Sequence, residues 1–364
     1  MEQEESGINY ALQLNNRIRH IDLVLSPSIL PNFLVLMDEG FPILEYLSLT
    51  FPADKSTTLT LPIAFSAPNL RHLSLFGVKL PKRLRLLCST ASLIALTLWD
   101  IQDASYIRPR LLAARLGSLL QLETLSISFS IPIPRPSTEW EMLGEQKAPV
   151  KLPSLKTLRF KGVATYLESL LAQIGAPLLE QLDITFFNQI AFALPHLSYL
   201  LDISEGFKLP AARVYFDRNE VSIIMAHHSS RWFDGPFYLR VKCKQWDWQI
   251  DCVAQICNAL IPVISCVEQF KLDFYAGSIL SKWQNGAIDD TTWRDLLGPF
   301  LGTKELYIDN ALLEELSRAL QEDEPGLDPG FLPNLQSISA RRNLFTSFMD
   351  ARQVVGRPVE FLSR

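Results

Sequence analysis

Four cysteines and a pair of histidines are the residues whose types could bind a metal ion. They are Cys243, Cys252, Cys257, Cys266 and the pair at 227–228. Zinc sites use thiolate and imidazole ligands in close pairs such as C-x2-C, whereas the shortest cysteine spacing here is C-x4-C. Residues five apart on a helix lie on different sides of it, so buried, unreactive thiols are the better interpretation. We therefore predict no metal site and no cofactor.

Motifs for catalysis are missing from the sequence. Neither G-x-S-x-G, a phosphate-binding loop, G-x-G-x-x-G nor H-E-x-x-H occurs. The carboxylate pairs Asp289–Asp290 and Glu314–Glu315 are adjacent in sequence, which fits helix capping and solvation better than acid–base chemistry. The sequence therefore predicts a protein that is not an enzyme.

One leucine spacing recurs through the first half of the chain and indicates the strands that position the side chains of this half. Leu70, Leu73 and Leu75 have the spacing L-x-x-L-x-L. Recurrence of this spacing every 23–33 residues indicates repeats in which a strand, a turn and a return segment bury their leucines by stacking. The other copies in this half begin at Ile18, Leu44, Leu93, Leu122, Leu155 and Leu179.

A weaker form of the spacing continues to the end of the chain, and a helix over Phe345–Val355 is expected to cover the last strand. Together the copies predict an α/β leucine-rich-repeat solenoid of about twelve irregular repeats. Such a solenoid is curved, with its parallel sheet on the concave face and its helices on the convex face. Residues 1–17 are predicted to be a lead or a short cap, and residues 18–364 the repeat domain. The weaker copies begin at Ala211, Pro236, Val267, Thr303 and Leu335.

Side chains between the key apolar positions are expected on the concave face, because successive strand residues face opposite sides. In the first half they are small and hydroxylated, apart from Phe76 and Trp99. From Arg159 onward they are charged and aromatic. Stacking the strands in chain order places Tyr215, Arg240 and Lys271 in one column.

This charged and aromatic surface is the candidate binding site. Arginine and tyrosine are frequent hot spots of protein interfaces, and basic side chains suit an acidic or phosphorylated peptide. The alternative is that these are solvated strand residues, neutralised by Asp183, Asp217 and Asp273. The candidate protein-binding residues are Arg159, Lys161, Arg213, Tyr215, Arg240, Lys242 and Lys271.

Several segments carry a resemblance to a known family. They include FPILEYLSLTFP, APNLRHLSLFGVKLP and LPSLKTLRFKGVATYLESLL in the first half, and DWQIDCVAQICNALIPVISCVEQFKL and FTSFMDARQVVGRPV in the second. In these segments the chain resembles the F-box and leucine-rich-repeat proteins that are expanded in mushroom-forming fungi. The resemblance implies the substrate-binding part of an F-box-type ubiquitin-ligase receptor, whose F-box would bind the ligase adaptor.

The chain departs from that family because no F-box is recognisable. Seventeen residues precede the first strand, too few for such a module, so an adaptor is expected only if an F-box lies upstream. The alternative is a stand-alone leucine-rich-repeat scaffold or decoy that binds the same partners without a ligase.

Composition narrows the partners and the compartment. The net charge is −5, from 34 basic and 39 acidic residues, which gives no general attraction to nucleic acid or to an anionic membrane. No apolar run approaches the roughly 18 residues of a membrane span. The acidic start MEQEESG does not resemble a secretory signal. An odd number of cysteines in a long chain fits a reducing compartment, so a cytoplasmic or nuclear location is expected.

Overall fold

The fold was analysed in a computed structural model. It divides into two compact units, Met1–Gln181 and Leu182–Arg364. Of the predicted lead at 1–17, only residues 10, 12 and 14–17 are described, with a 3-10 turn at Asn15–Arg17. The described residues are 10, 12, 14–26, 30–38, 40–51, 59–62, 64–79, 86–87, 90–102, 106–132, 148–228, 235–274, 290–320, 332–354 and 356–363.

The first unit contains a parallel sheet whose strands follow the chain. Its order is β1-β2-β4-β6-β7-β9, while β3 pairs with β5 and β8 with β10. The bounds are β1 His20–Val24, β2 Tyr46–Thr50, β3 Leu59–Thr60, β4 His72–Phe76, β5 Val78–Lys79, β6 Ala95–Ile101, β7 Thr124–Phe129, β8 Val150–Lys151, β9 Thr157–Gly162 and β10 Ile174–Gly175, with helices α1 Leu30–Met37, α2 Pro109–Leu116 and α3 Ala164–Leu171.

The leucine spacing predicts the register of this sheet correctly. Second-position leucines pair from strand to strand, as in Leu47 with Leu73 and Leu73 with Leu96. Alternate residues of β2 and β4 are buried, so the leucine side of these strands faces the core and the intervening side faces outward. Full burial of one leucine side chain stabilises a fold by about 2 kcal/mol. The first-position leucines Leu44, Leu70, Leu93, Leu122, Leu155 and Leu179 are all buried.

The second unit contains eight strands, one of which runs antiparallel to its neighbours. Their order is β11-β14-β13-β12-β15-β16-β17-β18. The bounds are β11 Gln181–Phe187, β12 Ala211–Phe216, β13 Glu220–Ala226, β14 Phe237–Lys242, β15 Gln269–Phe274, β16 Glu305–Ile308, β17 Ser337–Ala340 and β18 Glu360–Ser363, with helices α4 Pro195–Ile203, α5 Trp246–Ala259, α6 Ile261–Ile264, α7 Asp290–Leu297, α8 Leu313–Leu320 and α9 Thr346–Val354, and 3-10 turns at Glu205–Phe207 and Asn310–Leu312.

The expectation that strands stack in chain order is wrong in this unit. Strand β13 pairs antiparallel with both β12 and β14, and β12 pairs parallel with β15. A tight turn at Asp217–Asn219 reverses the chain, where the Asp217 carboxylate accepts a 2.6 Å hydrogen bond from the Arg218 amide. Such short-range capping is typical of Asp in turns. The antiparallel strand lies between β12 and β14, which therefore are not neighbours.

The end of the chain also differs from the expectation. Helix α9 occupies the position of the predicted closing helix, but β18 follows it and pairs parallel with β17. Apart from the two short pairs β3–β5 and β8–β10, the described residues thus contain fourteen sheet strands in mostly parallel order, six in the first unit and eight in the second, where twelve were expected. The additional strands are β13 and β18. The prediction of an α/β fold with a largely parallel sheet is confirmed.

Candidate functional site

The outward side of the first unit's sheet consists of three register rows, which we call the open face. The middle row is hydroxylated over four strands, from Ser48 on β2 to Ser126 on β7, and ends at Arg159 on β9. The rows beside it contain most of the aromatic side chains. The open face comprises His20, Tyr46, His72, Ala95, Thr124 and Thr157; Asp22, Ser48, Ser74, Thr97, Ser126 and Arg159; and Val24, Thr50, Phe76, Trp99, Ser128 and Lys161.

Aromatic rings of the first row stack across strands. The His20 and Tyr46 rings are parallel within 2° and their centroids are 4.2 Å apart. The Tyr46 and His72 rings follow at 5.9 Å and 36°. These three side chains form a continuous aromatic edge along β1, β2 and β4, with the hydroxylated row beside it. Large flat rings beside small hydroxyls give contact area together with adaptable hydrogen bonding.

The Trp99 indole is the most prominent aromatic group of the third row. It is 46 % exposed, and its Nε1 donates a 3.0 Å hydrogen bond to Ser126 Oγ on the next strand. The register between β6 and β7 shifts between Leu98 and Ile101. Asp100, in this shift, has φ of 57°, a left-handed conformation that Asp tolerates better than most residues. The bulge and the hydrogen bond together orient the indole across β7.

Three of the predicted basic residues are paired with carboxylates in the second unit. Asp273 Oδ2 accepts hydrogen bonds from Arg213 Nε at 2.6 Å and from Lys271 Nζ at 2.8 Å. Arg213 is only 5 % exposed, and its guanidinium lies 4.8 Å from the centroid of the Tyr215 ring. A cation that is buried and already paired has little capacity left for an external anion. This cluster therefore fits a structural role better than direct ligand binding.

The remaining pair, Arg240 and Asp183, joins β14 to β11. Arg240 Nη2 donates to Asp183 Oδ1 at 2.7 Å, and the guanidinium carbon lies 4.7 Å from the Tyr238 ring centroid. The Arg240 Nε atom is buried and makes no hydrogen bond within the described residues. Asp183 and Asp273 thus neutralise predicted binding residues, as the alternative interpretation of the sequence anticipated.

The columns expected from chain order are displaced by two residues at two steps of this unit, from β11 to β14 and from β12 to β15. Arg213 is in register with Lys271, and Tyr215 with Asp273. Arg240 is in register with Thr185 on one side and with Ser222 of β13 on the other. Tyr215 also lies opposite Ser222, so Tyr215 and Arg240 share one row across β13, as expected, and the column is wrong only at Lys271. The cause is that the apolar positions aligned on β12 and β15 are two residues out of register with each other.

The other predicted basic residues, Arg159, Lys161 and Lys242, differ in their exposure to solvent. Arg159 is exposed and forms no ion pair within the described part of the chain, and Lys242, at the end of β14, is exposed as well. Lys161 is half-buried on β9, two residues after Arg159. The seven residues therefore divide between the two units, with Arg159 and Lys161 in the first and the other five in the second. Their role in binding stays a prediction.

Three of the four cysteines described in the second unit, Cys243, Cys252 and Cys257, are buried, whereas Cys266 is exposed. Burial raises the pKa of the Cys252 thiol to about 12, with a further contribution from the neighbouring Cys243, and burial raises that of Cys257 further. Burial also raises the pKa of Cys266, although this residue is exposed in part. Among the described residues, no group of three or more His, Cys, Asp or Glu side chains could bind a metal.

Two features of these surfaces were not anticipated. Sequence reasoning noted Trp99 but did not select it, because nothing in the leucine spacing indicates the bulge at Asp100. It also missed Tyr238, whose ring lies against the Arg240 guanidinium. The run EVSIIMA, which forms β13, is nearly all buried, and such apolar continuity is typical of a strand covered on both faces. This apolar run is the feature of the sequence from which strand β13 could have been predicted.

Comparison with known proteins does not assign the chain to a family. No family model matches the chain, and no curated protein has significant sequence similarity to it. No helix in the described ranges is both long and apolar enough to cross a bilayer. The functional argument therefore depends on the geometry of the open face and of the charged cluster.

Proposed function

We propose that this chain is a non-enzymatic protein-recognition module built from leucine-rich repeats. The observation that carries the proposal is the open face, on which a row of hydroxyl side chains stays in register over four strands with aromatic side chains beside it. Tyr and Ser are enriched in the binding loops of antibodies, and Trp at their hot spots, because rigid rings supply contact area and hydroxyls supply adaptable hydrogen bonds. A broad surface of this kind suits a protein or peptide better than a small molecule, which requires a concave, largely apolar pocket.

The resemblance to F-box and leucine-rich-repeat proteins extends this proposal to a ligase. In that interpretation the chain holds a protein for ubiquitination, in the cytoplasm or the nucleus, and an F-box elsewhere in the product binds the adaptor. The regular register of the first unit supports repeats, because each L-x-x-L-x-L copy coincides with one strand. A stand-alone scaffold or decoy, which binds the same partners without a ligase, is the second candidate.

Affinity capture from a cell extract tests the proposal. The open-face variant is Ser48→Glu, Ser74→Lys, Thr97→Glu, which covers the middle row with bulky side chains of alternating charge. Opposite charges on neighbouring strands attract, so the sheet is expected to stay folded. The matched control is Ser347→Glu, Ala351→Lys, Val354→Glu on α9, which introduces the same charges at three exposed positions.

The outcomes separate the candidates. Partners captured by the intact chain and the control but lost with the open-face variant support protein recognition at this surface. Adaptor and cullin among the captured proteins support the ligase receptor, and specific partners without them support the scaffold. Equal capture by all three forms contradicts recognition at the open face.

A further inference from the structure

The open face contains one exposed tryptophan and one exposed arginine on strands that are separated by β7 alone. The Trp99 indole is bonded to Ser126 on β7, and Ser126 is in register with Arg159 on β9. Ser126 itself is only 5 % exposed, in keeping with an indole laid across it. Tryptophan and arginine are two of the three residue types most frequent among interface hot spots. The three side chains thus form one contiguous surface over three strands.

The orientation of the indole is fixed before any partner binds. The Trp99 Nε1 atom donates a hydrogen bond to Ser126 Oγ, and the Trp99 backbone lies in the bulge that includes Asp100. Binding to a preorganised aromatic group loses less conformational entropy than binding to a mobile one. The exposed part of the ring therefore offers a ready platform for an apolar side chain of a partner.

Arg159 differs from the paired cations of the second unit. It is exposed and forms no described ion pair, whereas the Arg213 and Arg240 side chains each contact a carboxylate. Within the first unit, the middle row contains one carboxylate, that of Asp22, which lies five strands away on β1. In this unit the Arg159 guanidinium therefore attracts an acidic group to the β9 end of the open face.

We infer that Trp99, Ser126 and Arg159 bind an extended peptide segment that has a bulky apolar side chain and a carboxylate two or three residues apart. The apolar side chain packs on the indole, and the carboxylate contacts the guanidinium. The separation follows from geometry: β6 and β9 are two strand steps, about 10 Å, apart, and an extended chain advances about 3.3 Å per residue. This inference rests on the proposed function, since it names the partner's chemistry at that same face.

Fluorescence anisotropy with synthetic peptides tests the inference on the full chain. The probes are fluorescein-labelled twelve-residue Gly-Ser peptides with one Phe and one Glu, separated by one to five residues. The tightest binding is expected at separations of two and three. Replacing Glu by Gln, or Phe by Ala, weakens binding of these peptides.

Variants of the chain assign the contacts. Trp99→Ala is expected to weaken binding at least about tenfold, as loss of a hot-spot residue does. Arg159→Ala weakens it about threefold, the effect of one exposed ion pair. Trp248→Ala is the matched control, because Trp248 is 47 % exposed but lies in the second unit; it leaves binding unchanged. Arg159→Glu reverses the preference, so that the peptide with Lys in place of Glu binds better.

The inference is overturned if no probe binds, if separation has no effect, or if Trp99→Ala binds like the unaltered chain. Near-ultraviolet circular dichroism of each variant shows that loss of binding is not loss of folding. The open-face variant leaves Trp99 and Arg159 in place. It therefore tests recognition at the open face separately from peptide binding by Trp99, Ser126 and Arg159. If it still loses partners in the extract while no peptide binds, the inference fails and the proposed function stands. If it keeps every partner, the proposed function fails as well.

Discussion

Arg213 on β12 and Asp273 on β15 are 60 residues apart in the chain, yet Arg213 Nε and Asp273 Oδ2 lie 2.6 Å apart. Both residues are buried, and Asp273 also accepts from Lys271 Nζ. Their strands are neighbours only because β13 reverses the chain, so that β12 lies beside β15 and away from β11. The pair spans the junction where the strand order of the second unit departs from the order of the chain.

Removing the Asp273 carboxylate should destabilise the second unit. Asp273→Ala leaves two cations without their partner, and breaking a buried ion pair from one side costs about 3–5 kcal/mol in the free energy of unfolding. Urea unfolding measures this change. Glu268→Gln is the control, since the Glu268–Lys304 pair at 2.8 Å is about half exposed and should contribute less than about 1 kcal/mol. Equal effects of the two substitutions would show that the buried pair is not important for stability.

The bulge at Asp100 predicts a contrast between two substitutions. Asp100→Val should lower the free energy of unfolding by about 1–3 kcal/mol, because a β-branched residue is strained at φ of 57°. Asp100→Gly should leave it unchanged or raise it slightly, since glycine adopts this conformation without strain. Thermal unfolding of both variants checks the prediction. Loss of stability in the glycine variant would mean that the Asp side chain, and not its backbone conformation, is what matters.

Close packing at Gly235 predicts a steric effect. A Cβ at this position would lie 2.1 Å from the Met225 carbonyl oxygen on β13, so the backbone must shift to accept it. Gly235→Ala should therefore cost more than about 2 kcal/mol of the free energy of unfolding, as overpacking of a well-packed site does. Gly175→Ala, where a Cβ meets nothing within 4 Å, is the control and should be nearly neutral. Near-identical unfolding midpoints for the two variants would contradict the described approach of residue 235 to β13.

Thiol chemistry should follow the raised pKa values. Only the thiolate reacts with iodoacetamide, and with a pKa of about 12 the Cys252 thiolate fraction at pH 8 is about 10⁻⁴. Its alkylation should be slow in the folded chain and rise about tenfold per pH unit until that pKa is reached. Cys266, which is exposed in part, should react first. Mass spectrometry of timed samples measures both rates; alkylation of Cys252 at the rate of Cys266 would refute its described burial.

The same shift predicts a loss of stability at alkaline pH. The folded state holds the Cys252 proton more tightly than an ordinary thiol of pKa 9.0, so this contribution is complete below pH 9. As pH rises from 9 toward 12, the unfolded chain ionises first and the free energy of unfolding falls. Cys252→Ala should reduce this dependence on pH in urea unfolding. An unchanged dependence in that variant would assign the effect to other groups.

The first unit could be predicted well from sequence because one rule governs all of its large-sheet strands. Each L-x-x-L-x-L copy places two leucines on the buried side, and pairing leucine with leucine then sets the register, as in Leu73 with Leu96. A slip of one residue would expose every leucine, so the alignment is strongly specified. The same rule indicated which residues face outward.

The second unit could not be predicted in this way because its strand order is set by a turn. Val221 and Ile223 of β13 do not fit the leucine spacing, so the spacing does not predict this strand. The spacing also misaligns β12 with β15 by two residues. Which charged side chains lie close enough to pair depends on the register between neighbouring strands. The contact between Arg213 and Asp273 could therefore not be derived without the correct neighbours of β12.

The candidate site was predicted only in outline. The composition of the outward side and the exposure of Arg159 were within reach of sequence reasoning, because strand alternation decides them. The orientation of Trp99 was not, since it depends on a positive φ at Asp100 and on one hydrogen bond to Ser126. Such local geometry has no signature in residue spacing.

Oxidative footprinting of the captured complex tests the central claim, recognition at the open face, most directly. Trp99 and Trp248 are 46 % and 47 % exposed in the free chain, so hydroxyl radicals should oxidise them at similar rates. When a partner is bound, we predict that oxidation of Trp99 falls severalfold while that of Trp248 is unchanged. Equal oxidation of Trp99 in the free and bound chain, or protection of Trp248 alone, would contradict recognition at the open face.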